Sequence, residues 1–344
     1  MSTNNRYLPV ETLRGIACLL LVFYHVVGPL GGGLQIEGGA YRVIVDALVD
    51  VRMPLFTFIS GFIYAMHSEK NRQFDRFIGN KVRRLIVPLL TVGVPITVMQ
   101  SISPGVNKSV SLADALLSPL FPVNHFWFLP AIFLIFIAVG ILNQRGILDK
   151  GIYFSFVLFI SFAIFVSPLS GTNFLSIDGA IYLFPFFLTG MAAQKYLPLP
   201  QKSLQQASII GVLALACLQV YLASHHRDLV VDRRNLWALA TGTISCILLY
   251  FCHFKSRILA FVGGHSFAIY LFHTVFAVAV RVALNRSGVV NVHLFVLLEL
   301  IAGIGLPVAL SIFFSRYPVL ASLFLGEPRR KLGPSSKGNS APIS

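Results

Sequence analysis

The sequence predicts an all-α integral membrane protein, a bundle of about ten transmembrane helices around a polar central passage. Three observations carry this. The 344 residues are 56% hydrophobic and only 12% charged, with a mean hydropathy of +0.78, whereas soluble domains are about 25% charged. The apolar runs are about 20 residues long, enough to cross a bilayer as helices, and lack the alternation of barrel strands. Ionisable side chains nevertheless stand inside several of these runs. Such groups are expensive at membrane depth unless they face a bundle interior or a wet cavity.

Hydropathy places the spans at 8–30, 42–66, 85–102, 125–142, 151–168, 178–195, 206–223, 235–253, 258–280 and 293–314. Residues 1–315 then form one transmembrane domain. Residues 316–344 form a basic cytoplasmic tail that ends in a Gly/Ser/Pro-rich, partly disordered stretch. Glu11 and Arg14 interrupt the first apolar run, and no small-x-small site follows, so it does not read as a cleavable signal. The four cysteines all fall in spans and show neither metal spacing nor a disulfide framework. No metal site is expected. The net charge of +14 fits cytoplasmic loops of a membrane protein better than a nucleic-acid binder. With the N-terminus inside, cytoplasmic loops carry eighteen Lys and Arg against seven outside. Both termini are therefore expected in the cytoplasm, with the segment from His225 to Arg234 as the dissenting loop; its Arg233 and Arg234 either bind an anionic glycan or are surface charge.

The first span organises the rest. Arg14 and His25 are eleven residues apart, about three turns and 20°, so they share a helix face about 16 Å apart along the axis. Arg14 falls in the inner half of the membrane and His25 beyond the midplane. The second span carries Asp46, Asp50 and Arg52. The two aspartates, at i and i+4, would share a face, and the three charges would pair among themselves, with Arg14, or sit near the outer mouth. Ser60-Gly61 is a small pair suited to close helix packing, with Ser60 also a candidate on the substrate path. The loop from Glu69 to Arg84 is the densest basic patch. It is either a topology anchor on anionic lipid or a surface for an anionic cytosolic ligand, with Lys81, Arg83 and Arg84 as candidate phosphate holders. The fourth span opens with His125 and Trp127, which fit an interfacial belt or a functional lining at the level of His25. In the ninth span His265 and His273, eight apart, would lie within about 80° of each other; with Tyr270 they are polar lining or interhelical glue.

Four stretches together resemble the acyltransferase-3 family of membrane O-acyltransferases: ETLRGIACLLLVFYH (11–25), MPLFTFISGF (53–62), HFWFLPAIFLIF (125–136) and GGHSFAIYLFH (263–273). Arg14 and His25 match the family's R-x10-H pattern. The second and third stretches look most like the branch that includes fucose 4-O-acetylases and other glycan acetylases. Where many relatives carry an aspartate shortly before SGF, this chain has the segment Arg52 to Phe58.

The resemblance implies acyl-CoA, usually acetyl-CoA, as donor co-substrate. It implies a glycan or lipid-linked sugar hydroxyl as acceptor and a bacterial inner-membrane location. O-Acylation needs a base for the hydroxyl and a group for the thioester oxyanion. Histidine as a residue type titrates near neutrality, so His25 suits the first task. It would act by direct deprotonation or as a nucleophile forming an acyl-imidazole. Arg14 is placed to hold the donor or to orient Glu11. Asp46, Asp50, Ser60, His125, Trp127, Tyr270 and His273 are the candidate acceptor lining. The alternative class is a secondary transporter with Arg14 and Asp50 on a substrate or proton path. Nothing in the sequence fixes the oligomeric state.

Overall fold

The computed structural model describes residues 8–28, 33–67, 73–102, 110–169 and 171–328. The stretch 329–344, expected to be partly disordered, lies outside the described residues, as do Arg6, Lys70, Arg72 and Lys108. The regular structure of the described residues is helical, with no strand among them. In chain order the helices are α1 (Leu8–Val27), α2 (Gly39–Ala47), α3 (Val49–Met66), α4 (Phe74–Lys81), α5 (Val94–Ile102), α6 (Leu112–Leu116), α7 (Phe128–Gln144) and α8 (Gly151–Val166). They continue as α9 (Ile177–Tyr196), α10 (Lys202–His225), α11 (Arg227–Val231), α12 (Leu236–Cys252), α13 (Arg257–Gly264), α14 (Ser266–Arg286), α15 (Val292–Ser315) and α16 (Pro318–Phe324). Eight helical stretches are long and apolar enough to cross a membrane; α8 and α12 are shorter apolar helices.

Three predicted elements differ in outline. The basic loop begins a helix: Phe74–Ile102 runs continuously through α4, two π-helical turns (Val82–Ile86 and Leu89–Gly93) and α5. The second span is two helices that meet at Leu48, so Asp46 and Asp50 do not lie on one uninterrupted helix face. The ninth span is also two helices. His265 ends α13 and precedes α14, so it does not share a helix with His273. Hydropathy stays high across both breaks, and apolarity reports burial in lipid rather than continuity of the hydrogen-bonded helix. Beyond residue 316, α16 packs back on the bundle, with Ala321 and Leu325 buried.

Helices gain little hydrophobic free energy from packing together in lipid, so small residues that let backbones approach matter more than in water. Two reciprocal glycine contacts illustrate this. In α3 and α9, a Cβ on Gly61 would strike the Phe187 carbonyl, and one on Gly190 would strike the Phe58 carbonyl. In α1 and α13, a Cβ on Gly15 would strike the Leu259 carbonyl, and one on Gly263 the Glu11 carbonyl. The second pair explains the first glycine of the GGHSF stretch: it seats α13 against the helix that carries Arg14 and His25. Gly190→Val, which forces backbone against backbone, is expected to destabilise by about 1–3 kcal/mol. Chemical denaturation in mixed micelles would measure it, and an unchanged midpoint would refute the close-approach role.

Candidate active site

The imidazoles at the His25 end of α1 are arranged by local backbone chemistry. The Nδ1 of His25 lies 2.9 Å from the Leu21 carbonyl one turn back. A carbonyl can only accept, so Nδ1 carries a proton, and in the neutral ring that leaves the lone pair on Nε2. His273 in α14 repeats this device, with Nδ1 at 2.8 Å from the Ile269 carbonyl and 3.0 Å from that of Tyr270. His125 arrives differently. Asn124 takes a left-handed conformation (φ 56°), which asparagine tolerates better than most residues, and opens a 3₁₀ turn that swings His125 inward. Asn124 is held by its Nδ2 donating to Gln100 Oε1 at 2.6 Å. The Tyr270 hydroxyl donates to the His125 carbonyl at 2.5 Å, tying this turn to α14.

These steps bring three imidazoles together. Ring centroids lie 4.8 Å apart for His25 and His273, 4.9 Å for His125 and His273, and 5.7 Å for His25 and His125. His125 and His273 are buried, and the Nε2 of each has no hydrogen-bond partner among the described residues. All three border a cavity of about 870 Å³, together with Trp127 and Tyr270. The described residues contain no cluster of His, Cys, Asp and Glu arranged to hold a metal ion.

The remaining predicted residues fall elsewhere. Arg14 pairs with Glu11 in its own helix, Nη1 lying 2.9 and 2.8 Å from the two carboxylate oxygens. It therefore does not bridge to Asp46 or Asp50. Asp46 is held by Arg42 at 2.9 Å and by Arg227 at 2.7 Å, away from the cavity wall. Ser60 donates to the Phe56 carbonyl at 2.9 Å within its own helix and does not border the cavity. Asp50 is buried behind the wall, and neither of its carboxylate oxygens has a hydrogen-bond partner among the described residues.

Lys81, Arg83 and Arg84 border a second, smaller cavity of about 400 Å³, with Gly264, His265 and Glu327 on its other sides. It lies toward the Arg14 end of α1: Arg84 is in electrostatic reach of Arg14 and Glu11, and Gly263, beside Gly264, rests on the Glu11 carbonyl. The two cavities share no lining residue.

Tyr24 and Arg52 also border the cavity, as does Arg233, one of the two outer-loop arginines for which the sequence leaves open an anionic glycan or plain surface charge. Arg52 sits over the Tyr24 ring, 3.4 Å from its centroid, and Arg233 donates to the Tyr24 hydroxyl at 3.0 Å. A charge inside an apolar span was the available signal for Arg52, and an arginine pair in an outer loop that for Arg233; for Tyr24 the sequence offered none.

Against known families, a model described as an acyltransferase domain, that of acyltransferase-3, matches residues 9–316, nearly the whole chain. No curated protein and no solved structure matches the chain.

Proposed function

The chain belongs to the acyltransferase-3 family, a multi-pass membrane acyltransferase, and from that premise we propose that it moves an acetyl group from cytoplasmic acetyl-CoA to a sugar hydroxyl of a glycan or lipid-linked intermediate. The proposed setting is a bacterial inner membrane, with both termini in the cytoplasm. The supporting observation is the pair of unlike cavities at the two ends of α1: a basic one near Arg14 and a histidine-lined one at His25.

In this reading Lys81, Arg83 and Arg84 hold the donor's phosphates by charge-assisted hydrogen bonds. Arg14, braced by Glu11, stands beside them and steadies the donor or its approach. The pantetheine arm reaches toward His25 over the ~16 Å of helix that separates the two residues. The free Nε2 of His25 takes the proton of the acceptor hydroxyl as its oxygen attacks the thioester carbonyl. The tetrahedral intermediate collapses with cleavage of the C–S bond, and the proton passes from His25 to the departing thiolate. CoA-SH and the sugar ester are the products. Tyr270 holds the backbone of His125, and His125, Trp127 and His273 shape the pocket for the acceptor.

Purified protein in detergent, incubated with radiolabelled acetyl-CoA and a panel of glycans, tests this directly. Transfer of label to a glycan is the expected result. An absence of both acetyl-CoA consumption and CoA binding would instead favour a transporter. Removing a donor-phosphate contact by Arg84→Ala is expected to raise KM for acetyl-CoA about 10–100-fold, as for the loss of one hydrogen bond to a charged group. The value of kcat should change little. A fall in kcat at unchanged KM would move Arg84 out of donor binding.

A further inference from the structure

The wall of the larger cavity carries one sign of charge. Arg52, Arg233 and Arg281 border it, and among the described residues no aspartate or glutamate does. Arg281 is already matched, with Nε 2.8 Å and Nη2 2.6 Å from the carboxylate oxygens of Glu299. Arg52 is not matched. It is only 5% exposed, and its Nε and Nη1 have no acceptor among the described residues. Its neighbour Arg233 reaches the same tyrosine, so Tyr24 braces both guanidinium groups, one over its ring face and one at its hydroxyl. The Tyr24 ring lies 5.2 Å from that of His25. Asp50 is within electrostatic reach of Arg233 and Arg52. It forms no hydrogen bond to either and does not border the cavity, so it offsets charge from behind without filling their donor positions. Arg234, next in sequence, is committed elsewhere: it bonds Asp178 at 2.9 Å and the carbonyls of Ile164 and Phe165 at 3.1 and 3.3 Å.

A buried guanidinium with unfilled donors is costly, because desolvation is not repaid by a partner. At a cavity wall the partner can come from the ligand. A guanidinium fork matches carboxylate and phosphate oxygens better than any neutral group. We propose that the acceptor is acidic: Arg52 and Arg233 bind a carboxylate or phosphate of the acceptor and so set its hydroxyl beside His25. The proposal rests on the acyltransferase reading for its mention of an acceptor, but the anion site itself does not depend on that reading.

The test uses the full chain in detergent with three matched probes: methyl glucoside, methyl glucuronide and methyl glucoside 6-phosphate. Calorimetry gives each dissociation constant, and release of CoA from acetyl-CoA is followed in parallel samples. The parent is expected to bind at least one anionic probe about ten-fold or more tighter than the neutral one, in line with one charge-assisted contact. Which anion binds separates a uronic-acid acceptor from a phosphate-bearing one. In Arg52→Gln the ratio of anionic to neutral affinity should fall to within about two-fold, and Arg52→Lys should restore part of it. Arg233→Gln supplies the same comparison if Arg52→Gln does not fold. Equal affinities in the parent, or no binding of either anion, would overturn the proposal. So would an anion preference that survives both glutamine variants. Anion preference without CoA release would leave the site standing and sink the transferase reading; CoA release with a preference for the neutral sugar would do the reverse.

Discussion

His25→Ala is expected to lower kcat/KM for acyl transfer about 10²–10⁴-fold, the usual contribution of a positioned general base, while CoA binding stays within about two-fold of the parent. The second half of the expectation follows from geometry. His25 borders the larger cavity, whereas Lys81, Arg83 and Arg84 border the other. Removing the imidazole therefore leaves the donor's proposed phosphate contacts in place. The measurement is label transfer from acetyl-CoA at varied acceptor concentration, beside a CoA titration of the same variant. Retained transfer in a folded variant would move the base to His125 or His273, whose Nε2 atoms stand free nearby. Trapped label on the parent without acceptor, absent in the variant, would indicate an acyl-imidazole rather than direct deprotonation.

Glu299→Ala is expected to destabilise the bundle by about 3–5 kcal/mol, the loss typical of breaking a buried ion pair from one side. Glu299 is fully buried in α15 and takes both ends of the Arg281 fork from α14. Arg281 also donates from Nη1 to the Gly33 carbonyl, so the guanidinium joins three segments. Alanine would leave it without its countercharge. The paired replacement Arg281→Met with Glu299→Leu should recover much of the loss, since it removes both charges and keeps volume. Denaturation in mixed micelles decides the matter. Equal stability of parent and single variant would show that water reaches the arginine and compensates it.

The sequence made the helical class and most span positions legible, because about 20 apolar residues in a row have few other uses. Arg14 and His25 stood out for the same reason: a charge and a titratable ring in hydrocarbon need an explanation. The breaks at Leu48 and His265 went unread although Asp46, Asp50 and Arg52 flank the first and Gly263-Gly264 precede the second, because a span-length hydropathy window averages such local signals away. The first break mattered most. Treating 42–66 as one helix put Asp46 and Asp50 on a common face, whereas Asp46 is tied to Arg42 and Arg227. Arg227 was read only as a charge on a dissenting loop, and Arg233 as either a binder of an anionic glycan or surface charge. Their contacts with Asp46 and Tyr24 cross about 180 and 210 positions of chain, and one sequence without tertiary structure carries no sign of them. Within one span, by contrast, spacing alone sufficed: His25 and Arg14 lie in the single uninterrupted helix α1.

That helix is a stiff rod, buried at the His25 end too through Val22, Val26 and Val27, but with a backbone-to-backbone seam near its other end. Gly15 sits against α13 through backbone contact, and His25 lies ten residues further on, about 15 Å along the axis. A tilt of about 5° at that seam would carry the far end sideways by roughly 1.3 Å. A displacement of about 1 Å can reduce the rate of a positioned reaction 100-fold. The α1–α13 seam thus works as the short arm of a lever: bulk added at Gly15 or Gly263 is magnified at the imidazole without touching it.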